Sequence, residues 1–241
     1  SMGAHYDKPR EELTAEEKAA SLRYQMMDVV DQIRWIPDFG HSREMDWLRN
    51  MHDWMISKKR YWGLALPIWE CDSCNHFEVI GSDKELEERA LEGWGQFEGH
   101  TPHRPFIDAV ELGCPKCSGK MHRIADVGNP WLDAGVVSFS TLGYRTDPEY
   151  WRACFPADWV SESFPGQFRN WFYSLLAMST VLAETAPFKT LFGYASLFAE
   201  DGREMHKSPR GFFRNPSTSF LRCSGWMNSG CFPIWSISHC W

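Results

Sequence analysis

Four cysteines offer the most definite chemistry in this sequence. Cys71 and Cys74 form one Cys-x-x-Cys pair, Cys114 and Cys117 form a second, and 39 residues separate the pairs. Two such pairs bring four thiolates within reach of one tetrahedral ion at about 2.3 Å, the arrangement of structural zinc. The spacer is longer than that of a compact zinc ribbon. An acidic stretch inside it, SDKELEERALEG, carries Ser82 and Glu85 at capping-box spacing, and a helix there accounts for the excess. Gly119, two residues beyond the second pair, suits a tight turn. His76 and His122 lie close enough in sequence to replace a cysteine, and we read them as surface residues. A redox or disulfide pair, or coincidence, are the alternatives to zinc. With four protein ligands no coordination position is open to substrate, so a bound ion here is structural.

The second chemically suggestive cluster is basic and aromatic: Lys58, Lys59 and Arg60, followed by Tyr61 and Trp62. It reads equally as a nucleic-acid contact or as a solvated strand end beside core aromatics. The net charge of -7 argues against a surface given over wholly to phosphate binding, which requires clustered Lys and Arg. No run approaches the roughly 18 to 20 apolar residues of a membrane span, and the first residues have no signal-peptide core. We therefore expect no membrane partner and a cytoplasmic location, where the eight cysteines are thiols or metal ligands rather than a disulfide framework. Ser1 and Met2 are expected to be a remnant ahead of the natural sequence.

These residues need elements to hold them. Thr14 and Glu17 make a capping box, and Leu22, Met26, Val29 and Ile33 recur at helical spacing, which predicts a helix over about 15–34 that Pro37 and Gly40 terminate. A second amphipathic helix is predicted over about 43–52. The segments WMIS and GLALPIW read as extended on either side of the KKRYWG turn. Beyond residue 151 the pattern becomes strand (DWVSES), helix (QFRNWFYSLLAMSTVLAETA) and strand (FKTLFGYASLF), the signature of a parallel sheet. The polar loop AEDGREMHKS then leaves the strand end at which such sheets bind ligands. Residues 209–241 differ from everything before them. They contain no Asp, Glu or Lys, yet hold Cys223, Cys231, Cys240, Trp226, Trp235 and Trp241. We read them as a foreign or out-of-frame extension, with an apolar segment that docks on a partner as the alternative.

Four collinear strings carry a family resemblance: DWMISKKRYWG at 53–63, PWLDAG at 130–135, GQFRNWFYSLL at 166–176 and EDGREMHKS at 200–208. Together they resemble isoleucyl-tRNA synthetase, with valyl- and leucyl-tRNA synthetases sharing the architecture. The resemblance implies an α/β fold, the second half of a class I synthetase Rossmann-type parallel sheet, with a nested zinc-ribbon insert and an N-terminal helical segment. The implied divisions are a helical connecting segment at 1–52, the catalytic half at 53–208, the nested four-cysteine zinc insert at 71–122 and the anomalous tail at 209–241. It further implies ATP with Mg2+ and isoleucine as substrates and tRNA(Ile) as acceptor. Lys207 matches the second lysine of the family's signature loop, and Met205 and Ser208 are retained beside it. Glu204 stands where that loop has its first lysine, and His206 where it has serine. Of the family's Glu-Gly-x-Asp-Gln stretch, Gln167 aligns, Glu162 is offset by one residue, and Gly166 replaces the aspartate. Glu162 is the candidate for the substrate's ammonium group. Trp131 and Asp133 would wall the site, their plainer reading being a buried tryptophan and a capping aspartate. The family's HIGH signature, its editing insertion and its anticodon-binding region are not in this sequence. The expectation is a fragment of an aminoacyl-tRNA ligase that is inactive alone and needs the missing half of the catalytic domain. The competing expectations are a zinc-bearing module that binds RNA or a synthetase without catalysis, and a fragment of a valyl- or leucyl-tRNA synthetase.

Overall fold

The computed structural model describes residues 2–164, 166–195 and the backbone of 234–235. Helix α1 (Ala15–Ala19) starts at the expected capping box: the Glu17 N–H donates to Thr14 Oγ1 at 3.2 Å and the Thr14 N–H donates to Glu17 Oε2 at 2.8 Å. The predicted single helix over 15–34 is broken. Ser21 is extended, with φ -135° and ψ 111°, and its hydroxyl donates to the carbonyls of Met2 (3.1 Å) and Ala4 (2.8 Å). A serine bonded to remote backbone in this way competes with helix continuation. Helix α2 (Leu22–Val30) resumes beyond it, and Arg34–Ile36 is not helix but strand β1. Met2, expected to be a remnant, is buried, and its carbonyl also accepts the Arg23 N–H at 3.1 Å. Helix α3 (Phe39–Asn50) begins four residues before the predicted start. Its last carbonyls have no partner within the helix, and the buried Arg23 supplies one: the guanidinium donates to Leu48 O, to Arg49 O at 3.2 Å and to Met51 O at 2.7 Å.

Residues 52–134 form one compact unit. A two-stranded ladder pairs β2 (Ser57–Lys58) with β8 (Val127–Gly128). Between them lies a five-stranded antiparallel sheet made of β3 (Ile68–Cys71), β4 (Phe77–Val79), β5 (Ala90–Glu92), β6 (Glu111–Gly113) and β7 (Lys120–Arg123), in the order β4-β3-β7-β6-β5. The expected helix is α4 (Asp83–Arg89), capped by Ser82, whose Oγ accepts the Glu85 N–H. The turn of helix α5 (Trp94–Phe97) follows Gly93, which is left-handed at φ 81° and whose Cβ, if present, would lie 1.8 Å from Ala109 O, so only glycine fits. Trp69, Leu86, Val110, Leu112 and Met121 fill the core with Cys71 and Cys114, and the Trp69 indole donates to Val110 O at 2.8 Å. Each such fully buried apolar side chain contributes about 1.5–3 kcal/mol. The sheet begins at Ile68 and ends at Arg123, slightly wider than the predicted insert.

Helix α6 (Pro130–Gly135) leads to α7 (Val137–Ser140) and α8 (Pro148–Cys154). The predicted strand, helix and strand follow as β9 (Ala157–Ser163), α9 (Trp171–Ala183) and β10 (Phe188–Tyr194), with a 3-10 turn at Gly166–Arg169 before α9. The sheet is wholly parallel, in the order β1-β10-β9-β11, where β11 (Ile234–Trp235) pairs with Trp159 and Val160. The remainder of the 209–241 tail lies outside the described residues. β1 joins this sheet, and residues 2–51 belong to the same compact unit as β9, α9 and β10. Among the described residues no helix is long and apolar enough to cross a membrane.

Candidate functional site

The two cysteine pairs are the turns of two hairpins, β3–β4 and β6–β7, and the turns share one geometry. The Cys71 N–H donates to His76 O at 2.8 Å and the Cys114 N–H to Gly119 O at 2.8 Å, while the Asn75 and Ser118 N–H groups each return 3.0 Å bonds to Cys71 O and Cys114 O. Asn75 (φ 55°) and Ser118 (φ 57°) take the left-handed position in each turn. The Ser73 and Lys116 N–H groups point at Cys71 Sγ and Cys114 Sγ, both at 3.4 Å. Because Cys71 and Leu112 both face Met121 of β7, the sheet cancels the 39-residue separation and sets both turns at one end.

The four sulfurs all lie within 4.8 Å of one another, with Cys71 to Cys117 at 3.4 Å and Cys74 to Cys114 at 3.6 Å. A tetrahedron with zinc–sulfur bonds of about 2.3 Å has edges of about 3.8 Å, so the donor set fits zinc in both chemistry and size. Among the described residues no histidine or carboxylate joins the cluster. His76 pairs with Glu78 at 3.2 Å and His122 with Asp72 at 3.0 Å. Gly119 matters for space rather than for a turn: the positive φ belongs to Ser118, whereas a Cβ on Gly119 would sit 2.9 Å from Ser73 Oγ and 3.3 Å from the sulfurs of Cys71 and Cys117. The bare thiols do not ionise together. The Ser73 N–H leads in lowering Cys71 to about 6. Cys117 is pushed up to about 12: the Gly119 N–H pulls it down, but the Cys71 and Cys74 sulfurs and burial outweigh that pull. A cation is what would allow four thiolates to coexist here.

Beside the cysteine cluster, buried Arg123 of β7 donates to Asp108 Oδ1 at 2.5 Å, to Leu66 O at 3.2 Å and to Asp126 O at 2.9 Å. Asp108 Oδ2 accepts from Arg104 Nε at 2.6 Å, and the Arg104 guanidinium lies 4.9 Å from the centre of the Tyr61 ring. Tyr61 and Trp62 are 52% and 74% exposed, so the aromatics of the basic cluster are not core residues. Trp131 is half-buried and Asp133 exposed. The N-cap of α6 comes from Asn129, whose Oδ1 accepts the Trp131 N–H at 3.0 Å, so Asp133 is not a cap.

In the other unit Glu162 stands near the carboxyl end of β9, where parallel sheets take their ligands. Its Oε1 accepts the Ser163 N–H at 2.7 Å and the Tyr194 hydroxyl at 3.1 Å. Gln167 lies in the turn before α9, and its Oε1 accepts the Trp171 N–H at 3.2 Å, an N-terminal capping bond. Met205, His206, Lys207 and Ser208, with Glu204, lie outside the described residues. Tyr194 went unnoticed in the sequence, although its place at the end of the next strand of a strand–helix–strand unit marks it.

The family profile of tRNA synthetases class I (I, L, M and V) matches residues 16–218. The chain belongs to this family. The class I synthetase chain is 38% identical over 192 residues to the isoleucine–tRNA ligase of Methanothermobacter thermautotrophicus, a match that covers 79% of this chain and 18% of that protein. It is 39% identical over 207 residues to the enzyme of Methanopyrus kandleri (79% of this chain, 19% of that protein) and 42% identical over 190 residues to that of Methanothrix thermoacetophila (78% and 17%). This synthetase chain therefore spans less than a fifth of the length of the relatives it matches.

Proposed function

We propose that this chain is a segment of an isoleucine–tRNA ligase that acts in the ATP-dependent activation of isoleucine and its transfer to tRNA(Ile). The observation that carries the reading is the placement of Glu162 at the carboxyl end of β9, within a family whose matched relatives are isoleucine enzymes. In the first step the isoleucine carboxylate attacks the α-phosphate of ATP, giving the aminoacyl-adenylate and pyrophosphate; in the second the acyl group passes to tRNA. Such chemistry depends on positioning and on stabilising phosphate charge. Glu162 is assigned to the substrate ammonium. Gln167 is assigned to the adenylate; its oxygen caps α9, and among the described residues its amide nitrogen has no hydrogen-bond acceptor. Lys207, together with Met205, His206 and Ser208, is assigned to the phosphates and Mg2+. Cys71, Cys74, Cys114 and Cys117 would hold one zinc ion, which ties the two hairpins together and offers substrate no position. The setting is cytoplasmic.

On this reading, activity requires a complementary half of the catalytic domain. The test is isoleucine-dependent exchange between ATP and pyrophosphate. The chain alone gives none, and adding the complementary half as a separate polypeptide yields exchange that requires isoleucine and falls about 10²- to 10³-fold in Lys207→Ala. Exchange driven by valine or leucine instead would refute the assignment. Replacement of a signature lysine by Glu204 and of the aspartate by Gly166 favours a second reading, a zinc-bearing module that binds RNA or a synthetase without catalysis. RNA binding that survives Lys207→Ala but not zinc removal would select it.

A further inference from the structure

The basic and aromatic segment is tied down at both ends and held between them by Arg104. β2 fixes its start, with Ser57 opposite Gly128 and Lys58 opposite Val127 of β8. Its end returns to the same strand, where the Gly128 N–H donates to Leu64 O at 2.6 Å and Ala65 bridges Val127. Between these anchors Tyr61 and Trp62 stand exposed, their rings 6.2 Å apart and edge to face. Lys58, Lys59 and Arg60 form no ion pair among the described residues. Cations beside exposed rings offer a single-stranded nucleic acid both phosphate and base contacts, and the direction in which the Tyr61 ring faces decides whether the two are offered together.

The Arg104 guanidinium lies 4.9 Å from the centre of that ring, within cation–π range. It is itself fixed, because Nε donates to Asp108 Oδ2 at 2.6 Å and Nη1 to Ala125 O at 3.0 Å. The other Asp108 oxygen accepts Arg123 Nε at 2.5 Å. Arg123 belongs to β7, where it faces Trp69 of β3, two residues beyond the pairing of Met121 with Cys71. Contacts thus run from the cysteine-bearing strand through Arg123, Asp108 and Arg104 to Tyr61. An arginine fork on a carboxylate fixes orientation as well as distance, so these contacts pass on the placement of β7.

We propose that Arg104 is a positioning residue for the basic and aromatic segment, and that through Asp108 and Arg123 it makes the orientation of Tyr61 depend on the four-cysteine sheet. A zinc ion at Cys71, Cys74, Cys114 and Cys117 then governs the posture of residues that are not its ligands. The element with two states is the sheet itself, ordered with metal and open without it, and Arg104 is the link by which Tyr61 follows it. The proposal stands on contacts within residues 52–134 and does not rest on the function proposed above.

The test uses the full chain with fluorotyrosine in place of tyrosine, the Tyr61 resonance being assigned by its loss in Tyr61→Phe. Fluorine NMR is recorded for the zinc-loaded parent, Arg104→Ala and Asp108→Asn, and again for the parent and Arg104→Ala after phenanthroline removes the metal. Hydrogen exchange of β7 is followed on the same samples. In Arg104→Ala the Tyr61 resonance moves toward that of free fluorotyrosine while β7 stays protected from exchange. It moves the same way in Asp108→Asn, although the Asp108 carboxylate bonds to the two arginines and not to Tyr61. Metal removal moves it in the parent and adds nothing in Arg104→Ala. A Tyr61 resonance unmoved by Arg104→Ala overturns the positioning role. One that Asp108→Asn leaves in place, or that metal removal shifts equally in the parent and in Arg104→Ala, overturns the link to the sheet, as does metal removal that leaves Tyr61 of the parent unmoved.

Discussion

Replacing Asp108 by alanine removes the counter-charge of a guanidinium that has nowhere else to turn. The Arg123 side chain is fully buried and, among the described residues, Asp108 is its only carboxylate, at 2.5 Å. Nη1 keeps the carbonyls of Leu66 and Asp126, while Nη2 already has no partner among those residues. Breaking a buried pair from one side leaves an uncompensated charge and costs about 3–5 kcal/mol. Arg104→Ala removes the more accessible member of the same cluster, at 2.6 Å from Asp108, together with its stacking on Tyr61, and costs about 1 kcal/mol. The contrast is readable by hydrogen exchange with mass spectrometry on peptides spanning β7. Asp108→Ala raises the opening equilibrium there at least 100-fold, since about 1.4 kcal/mol is a factor of ten. Arg104→Ala raises it less than 10-fold. A cost below about 1 kcal/mol for Asp108→Ala, or equal costs for both variants, would show that Arg123 is not held as described.

Chelation with phenanthroline should abolish exchange protection in β3, β6 and β7 while β9 and β10 keep theirs, because apparent zinc energies of about 10–16 kcal/mol rival a whole domain's stability; unchanged protection in the first group contradicts a structural ion. Gly119→Ala should weaken zinc about tenfold in a competition titration, since its Cβ would press on the Cys71 and Cys117 sulfurs at 3.3 Å; parent-like affinity would mean the turn has room to yield. Glu44 of α3 is fully buried with neither carboxylate oxygen paired among the described residues, and burial raises its pKa well above the ordinary value. The folded state then binds the proton more tightly than the unfolded chain, so stability is greatest below the unfolded value of about 4.3 and falls as pH rises toward the folded pKa, by up to about 1.4 kcal/mol per unit. Glu44→Gln should flatten that slope in urea denaturation monitored from pH 4 upward, and an identical slope in the variant would refute the burial argument.

The cysteine turns, the caps at Thr14 and Ser82 and the strand–helix–strand order were legible because each is local: the signal and the structure lie within a few residues. What escaped is decided at a distance. Ser21 breaks a helix by bonding to Met2 and Ala4, and no periodicity in Leu22–Ile33 reveals that. β1 has three residues, too few for alternation, and becomes a strand because Trp35 pairs with Leu191. Gln167 was found by alignment, but its capping bond to Trp171 depends on where the 3-10 turn ends. Asp133 followed from a motif, yet Asn129 took the cap. Tyr194 and Glu162 meet through a register between strands 31 residues apart, counted from Ser163 to Tyr194, and only the sheet makes them neighbours.

The most direct measurement is charging of tRNA(Ile), tRNA(Val) and tRNA(Leu), each offered with labelled isoleucine, valine and leucine, by the chain combined with an added complementary half of the catalytic domain. The account predicts isoleucine on tRNA(Ile), none on the other two, and a loss of charging in Lys207→Ala. Charging of tRNA(Val) or tRNA(Leu) with their own amino acids, or acylation by this chain without the added half, would contradict it.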